Sequence, residues 1–167
     1  MAKRQIRIEG DPILRKKSRE VTEINNRIEE LLKDMEETLY DADGLGLAAP
    51  QVGVLRRVVL VDMRDDTGLI KMINPQIVEK SEDLQLNIEG CLSVPEQSGY
   101  VERPEKLVVE YLDENGKEQK LECDGYKAVC VSHELDHLDG ILYIDKVVEV
   151  DEETLRELEK REELEES

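Results

Sequence analysis

The only two histidines of this 167-residue chain, His133 and His137, lie four residues apart around a glutamate in the run HELDH. On an α-helix, positions four apart share a face, so both imidazoles can reach one metal ion. Glu134 stands beside that face, where a carboxylate can take a proton from water activated by the ion. Two imidazoles do not complete a catalytic metal site, which needs a third protein ligand and one open position. One protease pattern supplies a third histidine six residues after the second, but that position is Tyr143 here. Glu149 and Glu152 are downstream carboxylate alternatives, and there are three cysteines. Ligands at 130, 133 and 137 would spread about 10 Å along a helix axis, which argues against Cys130. Cys123 falls at a strand end and reads as core packing. Cys91 sits in EGCLS at 89–93, after a glycine that permits close backbone approach, and is the favoured third ligand.

A further segment, GLGLAAPQ at 44–51, combines small residues with a terminal amide. It reads as backbone that something approaches closely, with Gln51 as its polar tip.

These residues need elements to hold them. Ile24, Ile28, Leu31, Leu32, Met35 and Leu39 recur at helical spacing, so 22–41 reads as an amphipathic helix with Thr22 as N-cap. Short apolar runs at 57–62, 69–73, 75–78 and 106–112 read as strands, and 113–116 (DENG) as a hairpin turn returning through 117–123. Residues 125–138 regain helical character and carry the HELDH run. A last helix over 151–166, capped by Asp151, has a thin stripe of Leu155, Leu158 and Leu164. The fold class is α+β: antiparallel strands packed around a central metal-binding helix, with an N-terminal helix and a polar C-terminal helix. One catalytic domain over 1–150 with an acidic helix over 151–167 attached to it is the expected organisation.

The formal net charge is −18, from 41 acidic and 23 basic side chains. Such a surface repels phosphate backbones and argues against nucleic-acid recognition. No apolar run suggests a signal peptide or membrane span, and the cysteines form no disulfide pattern, so a soluble cytoplasmic protein is expected. Basic residues gather at Arg15, Lys16, Lys17 and Arg19, acidic ones in the last segment.

Taken in order, GLGLAAPQ, EGCLS and HELDH resemble the three motifs of the peptide deformylase family, with the resemblance running over about residues 6–147. The resemblance implies removal of the N-terminal formyl group from formyl-methionyl nascent chains, with release of formate. It implies Cys91, His133 and His137 as ligands to one divalent ion, Fe(II) in the cell, with Zn, Ni or Co able to substitute. Glu134 would be general base and then general acid, and Gln51 and the backbone N–H of Leu92 would hold the oxyanion. The peptide would lie extended beside Gly46, its methionine in a pocket of Leu45, Val129 and Cys130 with Tyr126 and Asn87 at the rim. Asn87 and Tyr126 depart from the apolar residues usual there, and Ser132 stands where many members carry glutamine. Arg103 matches a family arginine and is expected to pair with Asp136 or Glu89. Any transient ribosome contact would use the basic cluster at 15–19 rather than the acidic tail, or else stable docking is absent. A zinc endopeptidase on the same HExxH helix and a non-catalytic metal-binding protein are the competing readings.

Overall fold

The computed structural model of the chain describes residues 3–166, with side chains of the last helix described to residue 161. Helix α1 spans Asn26–Asp41 and buries Ile28, Leu31, Leu32, Met35 and Leu39, the stripe expected of a 3.6-residue period. Its N-cap is Asn25, not Thr22: the Asn25 side chain accepts hydrogen bonds from the backbone N–H groups of Arg27 and Ile28 at 3.1 and 3.2 Å. An amide oxygen at that position satisfies donors that Thr22, one turn too early, does not reach.

Seven strands follow: β1 (Gly46–Ala48), β2 (Val58–Asp62), β3 (Leu69–Lys80), β4 (Leu84–Cys91), β5 (Val94–Pro104), β6 (Lys106–Leu112) and β7 (Glu118–Asp124). They make an antiparallel five-stranded sheet in the order β1-β2-β3-β6-β7 and a separate β4–β5 hairpin. The runs at 69–73 and 75–78 are one strand. Asn74 takes a positive φ of 53° and Pro75 sits where the β3–β6 register shifts, a bulge in which a missing N–H costs no ladder bond. Asn74 is held there by paired 2.8 Å hydrogen bonds with the backbone of Val21.

Every residue of β2 is buried, because both faces of the sheet are covered. Val58 and Leu60 pack with α1, while Val59 and Val61 pack with the second helix, α2 (Gly125–Leu138). The other side of α2 meets β5 of the hairpin, so this helix runs through the interior. From Ala128 to Leu138 only Asp136 escapes full burial. Helix α3, Glu152–Glu166, begins with Asp151 accepting from the Thr154 N–H at 2.7 Å and buries Leu158. Leu164 lies outside the described side chains. No helix among the described residues is long and apolar enough to cross a membrane.

The C-terminus of α2 is fixed by the paired bonds of a Schellman motif: Ile141 N–H to Asp136 C=O at 3.0 Å and Gly140 N–H to His137 C=O at 3.2 Å. Gly140 has φ +75°, and a Cβ there would meet the Arg15 carbonyl oxygen at 2.5 Å. Gly140→Ala should therefore destabilise the fold by about 1–3 kcal/mol, read as a lower urea midpoint. Gly68→Ala, at a similar φ of +70° but in open space, should cost less. Equal losses would show that the backbone conformation, and not contact with Arg15, sets the cost.

Candidate metal centre

One turn of α2 separates His133 from His137 and brings their ring centroids to 5.1 Å. Strand β4 delivers the third group. In a strand, alternate residues face the same way, so Glu89 and Cys91 both point at α2. The Cys91 Sγ lies 3.4 Å from His137 Nε2, and one ligand atom each from Cys91, His133 and His137 falls within 4.8 Å of the others. This is the one Cys/His/Asp/Glu cluster of metal-holding geometry among the described residues. Glu149 and Glu152 are exposed on the chain beyond it. A thiolate with two imidazoles fits a four-coordinate transition-metal ion that keeps one position open.

Beneath the ligands runs a buried ladder of charges. His133 Nδ1–H donates to Glu89 Oε1 at 2.9 Å, which leaves Nε2 for an ion. Arg103, delivered by β5, grips Glu89 with Nε and Nη2, both at 2.9 Å, and donates through Nη1 to Asp136 at 2.6 Å. Lys146 adds a 3.0 Å contact to Asp136. Arg103 therefore meets both carboxylates named for it from the sequence. Lys146 and the Glu89–His133 bond were not foreseen; the alternation of 89 with 91 was the signal for the latter. Tyr143 stacks on His133 with centroids 6.0 Å apart, so the residue standing at the absent histidine's position supports the ligand ring.

Burial sets the protonation states unevenly. Burial penalises charge on His133, yet hydrogen bonds to Cys91 and Glu89 outweigh it and hold its pKa up at about 10. Burial, with the neighbouring His133 charge, keeps His137 well below the usual imidazole range. Burial raises Glu134 to about 7, and its Oε1 finds no protein partner among the described residues. Cys130 is pushed up by burial to about 12 and Cys123 to about 11, so both stay thiols. Cys123 lies in the core cluster between the sheet and α2.

A cleft of about 320 Å³ opens over these groups. Gly44, Leu45 and Gly46 form one wall, Gly90, Cys91 and Leu92 the other, and Tyr126, Val129 and Cys130 the α2 side, with His133 and Glu134 at the floor. Gln51 is buried, bound by Oε1 to the Ala48 N–H at 3.0 Å. Its Nε2 donates to Ser93 Oγ at 3.1 Å and approaches Cys91 Sγ at 3.7 Å, which aims the amide into the cleft. Asn87 does not line the cleft. It lies two residues farther out on β4 than Glu89 and turns its amide to Gln85 Oε1 at 3.0 Å. Gly46 has its own requirement: a Cβ there would lie 2.6 Å from Glu134 Oε2.

The family model for polypeptide deformylase matches residues 3–153. The peptide deformylase of Finegoldia magna is 58% identical over 158 residues, covering 95% of this chain and 98% of the relative. That of Acetivibrio thermocellus is 53% identical over 164 residues, covering 98% and 93%. Among solved structures, the peptide deformylase of Thermotoga maritima superposes with a TM-score of 0.85 at 38% identity, over 89% of this chain and 100% of that one. The Met-Ala-Ser-bound class I type b enzyme of Acinetobacter baumannii gives 0.84 at 34% identity, over 87% and 100%.

Removing Arg103 tests the ladder. Arg103→Met leaves Glu89 and Asp136 without their shared cation and should destabilise the fold by about 3–5 kcal/mol in urea titration. Metal retention after dialysis should weaken by roughly 10–100-fold, because Glu89, the partner of the His133 ring, loses its anchor. Unchanged stability and metal content together would show that the ladder does not hold the ligands.

Proposed function

The chain belongs to the peptide deformylase family, metal-dependent hydrolases that remove the N-formyl group from nascent polypeptides, and from that premise we propose how its residues divide the work. The carrying observation is the convergence of Cys91, His133 and His137 beside the buried Glu134 carboxylate. Cys91 Sγ and one nitrogen of each imidazole would hold the ion, Fe(II), with Zn, Ni or Co able to take its place. When bound, the ion supplies Lewis-acid chemistry, polarising the formyl oxygen and making an attacking water acidic near neutral pH. Glu134 takes the proton of that water and passes it to the leaving amine nitrogen, so that formate and a free N-terminus result. Gln51 Nε2 and the Leu92 N–H donate to the oxygen as negative charge develops on it.

The peptide lies extended along β1, with its methionine side chain between Leu45, Val129 and Cys130 and beside Tyr126. The relative solved with Met-Ala-Ser bound supports a substrate that begins with methionine. The endopeptidase reading requires a downstream carboxylate ligand and gives no role to Cys91 or Gln51, and a purely structural metal site would leave Glu134 dispensable. The reaction belongs in the cytoplasm, where formylated chains emerge.

Contact with the ribosome is transient and made by the basic side of the molecule. Arg15 is engaged with Asp145 at 2.5 Å, but Lys16, Lys17 and Arg19 are exposed. Arg19 shares a cleft of about 410 Å³ with Arg27 and Arg56, brought together from distant positions in the chain. The counterpart, α3, is dominated by glutamates and is repelled by RNA within a Debye length of about 8 Å.

Formate release from formyl-Met-Ala-Ser, beside an intact casein control, is the direct assay. Cys91→Ala should lose metal and turnover together, whereas Glu134→Gln should keep metal and lose turnover by orders of magnitude. Full metal occupancy in Cys91→Ala, or normal turnover in Glu134→Gln, would refute these assignments. In low-salt co-sedimentation with ribosomes, replacing Arg19, Arg27 and Arg56 by Gln should abolish binding, and truncation after Val150 should not. Loss on truncation would make the acidic helix the contact and overturn the electrostatic reading.

A further inference from the structure

The loop after β2 carries a second set of tied charges, outside the metal centre. Asp62, at the end of β2, is almost fully buried, and its two oxygens are used separately. Oδ2 accepts from the Tyr40 hydroxyl at 2.6 Å and Oδ1 from the Arg64 N–H at 2.8 Å. The Tyr40 bond also holds the Asp62 carboxyl below its usual range and raises Tyr40 to about 12, so the pair stays a carboxylate and a phenol donor. The Arg64 guanidinium lies 5.1 Å from the centre of the Tyr40 ring. From there its Nη2 donates to the Gly44 carbonyl at 3.0 Å and stands 3.7 Å from Asp43. Asp43 and Arg64 both hold positive φ, 55° and 61°, a region that aspartate enters readily but that an arginine adopts far less often.

Through Arg64 this set reaches Gly44, the first of the three residues that form one wall of the cleft. β1 is the edge of the five-stranded sheet. The Asp62 N–H donates to Leu45 C=O at 2.8 Å, and Gly46 stands opposite Val61. In an antiparallel pair the bonded positions alternate, so the N–H and C=O of Gly46 point away from β2, toward the cleft. Gly44 is the next position of the same parity, and Arg64 holds its carbonyl. The guanidinium thus ends the open edge and fixes how far from the cleft floor that edge lies.

We propose that Arg64, braced by Tyr40 and Asp62, is a positioning residue for the peptide backbone: it sets the height of the Gly44–Gly46 edge along which an extended formyl-peptide pairs. It touches no reacting atom. Its effect falls on binding of the residues that follow the formylated methionine and leaves the chemical step alone. This rests on the extended-peptide reading given above.

The test compares wild type with Arg64→Ala and Arg64→Lys in formate release from formyl-Met-Ala-Ser and from formyl-Met amide, with metal content and Tm measured on each. Arg64→Ala should raise KM for formyl-Met-Ala-Ser by roughly tenfold, the order expected from loss of a charge-assisted hydrogen bond. It should leave kcat, metal content and KM for formyl-Met amide close to wild type. Arg64→Lys should recover part of the loss, because an ammonium can reach Gly44 but cannot also lie flat over Tyr40. Should Arg64→Ala fail to fold, Tyr40→Phe carries the test, with a smaller rise in KM for the longer peptide alone. Unaltered KM for the longer peptide, an equal rise for both substrates, or a fall in kcat would each overturn the inference. Absence of formate release by the wild type would instead overturn the deformylase assignment.

Discussion

A helix that passes through a protein core with two imidazoles and two carboxylates in five residues has to have its charges answered by other side chains. Moving an ion out of water costs several kcal/mol even after relaxation, and a buried pair recovers this only with good geometry and few unmatched lone pairs. Around α2 that condition is met by Arg103, which is 2% exposed and bonds Glu89 with two nitrogens and Asp136 with a third. The rest of the arrangement follows from this contact. β5 must run antiparallel beside β4 so that Arg103 and Glu89 come from neighbouring strands. β4, having presented Glu89, then presents Cys91 on the same face. One hairpin register thus both neutralises the helix behind it and brings Cys91 to the two histidines.

The sequence made the helices and the two histidines readable because each obeys a local period, whereas Cys91, 42 positions before His133, was singled out only by its EGCLS motif. HELDH is a helical spacing, the α1 stripe recurs every three to four residues, and β6 and the turn after it follow strand and turn chemistry. The hairpin was not readable. β5 reads VPEQSGYVERP, with two prolines, a glycine and three charged residues, because its buried positions include an arginine where an amphipathic strand would place an aliphatic side chain. The lining of the cleft was readable but for one residue. Leu45, Gly46, Val129, Cys130 and Tyr126 all reach the cleft, whereas Asn87 follows its own neighbour Gln85. Tyr143 and Lys146 could not be found by spacing, since their partners lie on other elements and only the tertiary fold brings them together.

The two walls of the cleft are built on different principles. The β4 wall is held by buried charge and carries the groups that bind or donate. The Gly44–Gly46 wall is a sheet edge, in which Gly46 turns its backbone N–H and C=O away from β2 and Leu45 is the one side chain between two glycines. Exposed edges invite pairing with other chains, and short strands limit that hazard. β1 has three residues, is flanked by the turn at Ala49–Val52, and has its entry held by Tyr40, Asp62 and Arg64. An edge so restricted can accept one extended segment in one register while offering little to a second sheet.

The contrast between Glu89 and Glu134 shows how one side-chain type is given two roles. Both are buried. Burial alone would raise Glu89, but hydrogen bonds from His133 and Arg103 outweigh it and hold the carboxyl below the usual range. Glu134 receives no such bonds at Oε1, and burial lifts it to about 7, where a carboxyl can both take and return a proton. A group of that kind needs space on its unbonded side, and the space comes from Gly46. A single methyl at that position would lie 2.6 Å from the carboxylate and force it from its place beside the histidines. The glycine of the first motif and the glutamate of the last are therefore complementary surfaces of one contact, although they lie 88 positions apart in the sequence. A fold that lost the glycine would keep Cys91, His133, His137 and the charge ladder in place while displacing the buried carboxylate whose Oε1 has no protein partner among the described residues.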